Sequence, residues 1–249
     1  MQTFRIIPRL EIKSNNLVKG MRMEGLRIIG DPLKYALKYY NEGADEIIYE
    51  DIVATLYSRN FDLKCIKRIC KNIFIPATVS GGIKSDKDIN DCLNSGASKI
   101  SINTEFFFNT KLISSAAKRF GSQCISVQLQ YQKIGERNIC FHTSGRENTG
   151  VDVSDAAKIA SNSGAGEIQL VSINHDGMLK GTDFKLLEKM RKLIKIPIIA
   201  GGGIGSIEDI KKIKKLKIDG VIVSSILHDN KIKIGTIKKK INQKLLNIR

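Results

Sequence analysis

The sequence predicts an α/β fold, a closed (β/α)8 TIM barrel that runs as one domain over residues 1–249. It is predicted to consist of two duplicated half-barrels, about 1–121 and 122–249. Three observations predict this. Short apolar runs alternate with amphipathic stretches along the whole chain, the pattern of βα units around a parallel sheet. "EGADEII" (42–48) returns as "SGAGEIQ" (163–169), and "IPATVSGGIKSDKDI" (75–89) returns as "IPIIAGGGIGSIEDI" (196–210), both displaced by 121 residues. Two separate blocks at one offset argue for a repeated unit. Glycine-rich turns also follow a strand at equivalent places in the two halves.

Taken in order, the strands are predicted at 5–11, 46–51, 76–80, 98–103, 124–130, 167–172, 197–201 and 219–223. Each is a short apolar or alternating run bounded by Gly, Pro, Asn, Asp or Ser, as buried strands are. The stretch 124–130 continues into "SVQLQYQK" (126–133), which alternates polar and apolar residues and carries three glutamines. Helices fall between the strands. "DPLKYALKYYNEG" (31–43) opens with Asp31 as an N-cap and Pro32 in the first helical position. "DKDINDCLNSG" (86–96) and "SIEDIKKIKKLK" (206–217) show the apolar spacing of amphipathic helices.

Composition narrows the class. With 42% hydrophobic and 27% charged residues the chain reads as an ordinary globular protein. No apolar run approaches the roughly 18–20 residues that cross a bilayer. The N-terminal "MQTFRIIPRLEIK" lacks the basic, apolar, small-residue order of a signal peptide, so a cytoplasmic location is expected. Cys65, Cys70, Cys92, Cys124 and Cys140 form no CxxC pair and read as free thiols. Neither a metal nor a cofactor is expected. The formal charge of +16 raises nucleic acid as a partner. However, the lysines of "IKKIKKLK" (210–217) and of 231–244 interleave with isoleucine at helical spacing, without aromatic platforms. They read as solvated helix faces, and no nucleic-acid partner is expected.

Turns that pass from strand to helix through glycines offer bare backbone N–H groups and a helix dipole to an anion. The chain has two, "SGGI" (80–83) and "GGGIG" (201–205), each followed one strand later by a small polar terminus, "SINT" (101–104) and "VSSI" (223–226). They predict two phosphate sites at the C-terminal face of the barrel, where such barrels work. The candidate ligands are Gly82, Asn103, Gly203 and Ser225. The alternative is that these are tight turns which only close the barrel.

Over nearly all of its length the chain resembles the cyclase (synthase) subunit of imidazole glycerol phosphate synthase. The resemblance is carried by "RIIPRLEIK", "LVKG", "EGADEIIYEDI", "KISINT", "RFGSQCI", "TGVD", "HDGMLKGTD", "IPIIAGGGIGS" and "SSILH". It implies a partner glutaminase docked at the N-terminal face of the barrel. Ammonia released there would pass through the barrel to a bis-phosphorylated aminoimidazole-carboxamide ribonucleotide. It further implies that Arg5, Glu46, Lys99 and Glu167, at the starts of strands one, two, four and six, form the ammonia gate. Opposite charges in a ring can neutralise one another where single buried charges would be costly.

At the other end the sequence departs from the family. The resemblance implies two opposed aspartates as acid and base, ending strands one and five. Here the positions hold Glu11 and Gln130. A glutamate still transfers protons, although its extra methylene moves the carboxylate. An amide has no usable protonation change. The further site candidates are Lys19, on a mobile loop after strand one, Asp51 at the end of strand two, and Asp176 and Gly177 in "NHDG" (174–177). Ser80 and Gly201 stand where the family has glycine and serine. His142, His175 and His228 read as structural or surface residues and not as a triad.

The expected function is therefore a synthase subunit of a glutamine amidotransferase. It is either a histidine-pathway cyclase or a specialised paralogue with impaired cyclisation. The paralogue would hand ammonia to other chemistry, such as amidino-group formation on a surface sugar, with a third protein. The related isomerase barrel needs no gate, and a polyanion-binding module rests on charge alone.

Overall fold

The computed structural model describes residues 4–57 and 62–242; the last two residues of the lysine-rich stretch 231–244 lie outside these. The chain opens with β1 (Arg5–Lys13), β2 (Asn16–Met21), β3 (Glu24–Gly30), α1 (Pro32–Asn41), β4 (Ile47–Asp51) and α2 (Leu63–Cys70). It continues through β5 (Ala77–Ser80), α3 (Asp86–Asn94), β6 (Lys99–Ile102), α4 (Thr104–Phe108) and α5 (Thr110–Phe120). Then follow β7 (Ile125–Ile134), β8 (Arg137–His142), β9 (Glu147–Asp152), α6 (Val153–Asn162), β10 (Glu167–Ser172) and α7 (Phe184–Leu193). β11 (Ile198–Gly201), α8 (Ile207–Lys215), β12 (Gly220–Val223), α9 (Ser225–His228) and α10 (Ile234–Asn242) complete it.

Eight strands pair in parallel in the order β1, β4, β5, β6, β7, β10, β11, β12, and β12 returns to β1. The barrel is closed and has no free parallel edge. These eight are the strands that the sequence predicts, within a residue or two, except that β1 and β7 run on past their expected ends. The overrun feeds two antiparallel hairpins that the sequence reading misses. β2 and β3 follow β1, and β8 and β9 follow β7, with Glu11 opposite Val18 and Gln130 opposite Phe141. β2 begins at residue 16 and β8 at residue 137, again 121 residues apart. Lys19 consequently lies in a paired strand, β2, and not on a mobile loop. The sequence missed this because β3 is mostly exposed and lacks an apolar alternation.

The helices start where local chemistry dictates. Asp31 accepts from the backbone N–H of Lys34 at 2.9 Å with Pro32 following, as predicted. Ser206 and Asp209 form a reciprocal capping box on α8. The apolar face of α8, Ile207, Ile210 and Ile213, is buried, which leaves the intervening lysines on the outer side.

Strand alternation sorts the rest of the interior. Ile6, Leu10, Ile47, Tyr49, Val127 and Leu129 pack outward in the large core under the helices. Residues of the opposite parity point into the barrel. There Ile7, Ile48, Val171, Ile199 and Ile222 form a separate apolar cluster. Thr78, Ser101, Ser126, Gln128 and Gln169 are buried as well. The interior thus has an apolar wall and a polar one. Cys65, Cys92 and Cys140 are buried free thiols, and Cys70 and Cys124 are partly buried ones. Among the described residues no helix is long and apolar enough to cross a membrane.

Candidate functional site

At the N-terminal end of the barrel the structure brings Arg5, Glu46, Lys99 and Glu167 into one alternating ring. Arg5 contacts Glu46 at 2.9 Å and Glu167 at 2.5 Å. Lys99 contacts the same two carboxylates at 2.8 and 3.3 Å. Each acid is therefore bridged by both cations, and Thr78 donates a further hydrogen bond to Glu46 at 2.5 Å. Burial alone would lower the Arg5 pKa, but Glu167 and Glu46 outweigh it and hold the guanidinium above its ordinary value. The cations are the more exposed members and the acids lie deeper, so the ring is a neutral plug at the base of the barrel.

Above the ring runs the polar wall. The hydroxyls of Ser101 and Ser126 and both amide atoms of Gln169 are buried and find no hydrogen-bond partner among the described residues. Buried polar atoms normally have partners, and a water-sized polar molecule supplies them where side chains do not.

The mouth, at the C-terminal ends of the strands, holds three adjoining cavities. One is lined by Glu50, Asp51, Gly82, Asn103, Gln128 and Gln130, the second by Arg9, Glu11, Glu50 and Gln130, and the third by Arg9, Lys19, Asp176, Gly177, Gly203 and Ser225. Every mouth residue expected from the sequence therefore lines one of these cavities, and Glu11 and Gln130 share one. Gln130 donates to Gln128 at 2.8 Å, and its own carbonyl oxygen has no hydrogen-bond partner among the described residues. Asn103 spends its amide N–H groups on the backbone carbonyls of Gln128 and Phe141, so its side chain ties β6 to the β7–β8 hairpin. Asp51 accepts from the backbone N–H groups of Val53 and Ala54 and so shapes the turn after β4.

The sequence reading missed the centre of the mouth. Arg9, buried to 2% exposure, contacts Glu11 at 2.5 Å, Asp176 at 2.8 Å and Glu50 at 3.4 Å. Lys19 contacts Glu11 at 2.9 Å and Asp176 at 2.7 Å. Two cations and three carboxylates interlock. Burial would raise the Asp176 pKa, but Lys19 and Arg9 outweigh it and hold the carboxyl below its ordinary value. Burial pushes Glu50 the other way, above its ordinary value, with Arg9 and a hydrogen bond from Gln128 opposing and Glu11 and Asp176 assisting. The signal was present in the two-residue period of β1. Arg5, Ile7, Arg9 and Glu11 share one face, as do Glu46, Ile48 and Glu50 on the strand beside it.

The glycine turns are sterically committed. A Cβ on Gly203 would stand 2.1 Å from the carbonyl oxygen of Gly181, and the residue has φ +91°. Gly203→Ala is expected to destabilise the fold by about 1–3 kcal/mol through strain in that backbone region, read by urea unfolding. His228 and His175 make local hydrogen bonds, and His142 bonds neighbouring Thr143. His228 bonds Tyr39 at 2.5 Å and burial pushes its pKa down to about 3, while His175 bonds Ser172 at 2.7 Å. Among the described residues no group of three or more His, Cys, Asp or Glu side chains is arranged to hold a metal ion.

A family model described as "Histidine biosynthesis protein" matches residues 5–233. The chain is 45% identical to the imidazole glycerol phosphate synthase subunit HisF of Legionella pneumophila over 210 residues, which cover 84% of this chain and 99% of that protein. It is 40% identical to the HisF subunit of Prochlorococcus marinus, covering 100% of this chain and 99% of the relative. For the HisF subunit of Natranaerobius thermophilus the identity is 39%, with 98% of both chains covered.

Proposed function

The chain belongs to the family of imidazole glycerol phosphate synthase HisF subunits, and we propose that within it the barrel carries ammonia from a glutaminase at its base to a phosphorylated substrate at its mouth. The observation that carries the reading is the neutral ring of Arg5, Glu46, Lys99 and Glu167, set below a wall of unpartnered serine and glutamine side chains. A ring of four ion pairs has little to do at the bottom of a barrel that merely packs. Beneath a polar track it works as an entrance. The residues that would receive the substrate are Gly82, Asn103, Asp176, Gly177, Gly203 and Ser225, with Arg9 and Lys19 supplying positive charge to the third cavity. The two hairpins that recur at the 121-residue offset support the division into half-barrels of about 1–121 and 122–249.

The chemistry at the mouth favours a specialised paralogue over an ordinary histidine-pathway cyclase. Gln130 has no proton to exchange, and Glu11 is gripped by both Arg9 and Lys19. Standard cyclisation should therefore lack acid–base assistance at both positions. Delivery of ammonia to other chemistry, such as amidino-group formation on a surface sugar with a third protein, would not need that pair. The cyclase reading keeps one specific support, the names of its relatives.

The deciding experiment supplies ammonium salt and the aminoimidazole-carboxamide ribonucleotide to the purified chain and to the Natranaerobius subunit side by side. Turnover by this chain is expected to be lower by about 10²–10⁴-fold, the usual worth of general acid–base catalysis. Equal turnover would overturn the paralogue reading. Glu11→Asp combined with Gln130→Asp is expected to recover part of the deficit.

A further inference from the structure

The geometry points to Glu50 as the proton-accepting residue of the mouth, the group that takes the proton released when the arriving nitrogen bonds to carbon. This rests on the reading of the barrel as an ammonia passage and names a residue that the passage alone does not require.

Position is the first argument. Glu50 lies two alternations above Glu46 of the base ring on the same inward face, with Ile48 between them. It is 5% exposed, and it lines both the first and the second mouth cavity, as Gln130 does. A molecule that rises along Ser101, Ser126 and Gln128 therefore meets Glu50 where the track opens into the mouth.

Charge compensation is the second argument. Glu11 and Asp176 are each held by both Arg9 and Lys19, at 2.5–2.9 Å. Glu50 has a single cation, Arg9 at 3.4 Å, the longest ion pair in the cluster, and beyond it only a hydrogen bond from the neutral Gln128 amide. Two cations face three carboxylates, so the surplus negative charge resides on the acid with least compensation. That acid can accept a proton without leaving a cation stranded. The facing groups are Arg9 and Glu11 on β1, Lys19 on β2, neighbouring Asp51 on β4, the neutral Gln128 and Gln130 on β7, Asp176 beyond β10, and Arg146 across the second cavity. The direction of its pKa agrees, since burial raises Glu50 while Asp176 is lowered.

The step balances. The lone pair of ammonia forms a C–N bond to an electrophilic carbon of the acceptor, and the displaced electron pair moves onto the acceptor's own leaving heteroatom. The surplus proton on nitrogen passes to the Glu50 carboxylate, which returns it to that heteroatom. No oxidant or reductant enters.

The test does not need the acceptor. The chain is prepared with its glutamate carboxyl carbons labelled with carbon-13 and titrated by NMR, in ammonium chloride and in sodium chloride of equal ionic strength. One resonance, absent from Glu50→Gln, is expected to titrate above the other glutamates and to move when ammonium replaces sodium. Glu50→Asp assigns the same resonance should the amide variant misfold. A Glu50 signal that titrates in the ordinary carboxylate range, or that ignores ammonium, overturns the proposal. Movement of Glu46 and Glu167 with ammonium while Glu50 stays still would leave the passage standing and remove Glu50 from it. If none of the three moves, the passage falls too.

Discussion

Arg9→Met is expected to cost the fold about 3–5 kcal/mol, the usual penalty for removing one partner from a buried ion-pair network. Arg9 is among the largest fully buried side chains and, among the described residues, is the only one that forms ion pairs with Glu11, Glu50 and Asp176 together. Methionine fills much of the same volume, so the loss measures stranded charge rather than a cavity. The pH dependence gives the sign. In the native protein Asp176 sits below its ordinary value, so its contribution is present above the unfolded pKa and is lost as pH falls through the folded one. Glu50 sits above its ordinary value, so its contribution is present at low pH and is lost as pH rises through the folded pKa. Without Arg9 both acids find it harder to ionise. The deficit of the variant should be largest near neutrality and should shrink on acidification as the stranded carboxylates take up protons. Urea unfolding of both proteins across pH checks this; a deficit that does not vary with pH would mean that Arg9 serves only as packing.

Arg5→Ala is expected to uncouple the two ends of the barrel. The variant removes one of the two cations that bridge Glu46 and Glu167, leaving Lys99 to hold both. The ring then carries a surplus negative charge and has lost one of its two bridging cations, and in the proposed passage ammonia would escape there to solvent. In the reconstituted complex, product formed per glutamine hydrolysed should fall several-fold. Turnover on added ammonium salt, which can enter from the mouth, should hold. An equal fall in both would point to general disruption of the barrel.

Much of this fold is legible in the sequence because its eight parallel strands are short apolar runs with clear punctuation. The ring at the base is legible through family resemblance and through Glu46 and Glu167, which share the 121-residue repeat. The hairpins are not legible. Segments such as Glu24–Gly30 and Glu147–Asp152 are largely exposed and carry no apolar period. β2 and β8 pair with the overrunning ends of β1 and β7, and these two exposed segments pair in turn with β2 and β8. The mouth was half legible. Glu11, Gln130 and Lys19 stand out as departures or candidates, but Arg9 and Glu50 are single polar residues within apolar strands. Only the closed barrel shows that alternation carries them to one place. Two of the three glutamines of β7 find their setting the same way. Gln128 and Gln130 face inward with Ser126, whereas Val127, Leu129 and Tyr131 face the helices.

The central claim is that nitrogen enters at the base ring and leaves at the mouth without meeting bulk solvent. The most direct measurement supplies the complex of this chain and a glutaminase with amide-15N glutamine, the aminoimidazole-carboxamide ribonucleotide and a large excess of unlabelled ammonium. The isotope in whatever cyclised product accumulates is then read by mass spectrometry, a ratio that does not depend on how slowly that product forms. Passage through the barrel predicts product rich in 15N from the native chain and product dominated by unlabelled nitrogen from Arg5→Ala. Unlabelled product from the native chain would contradict it.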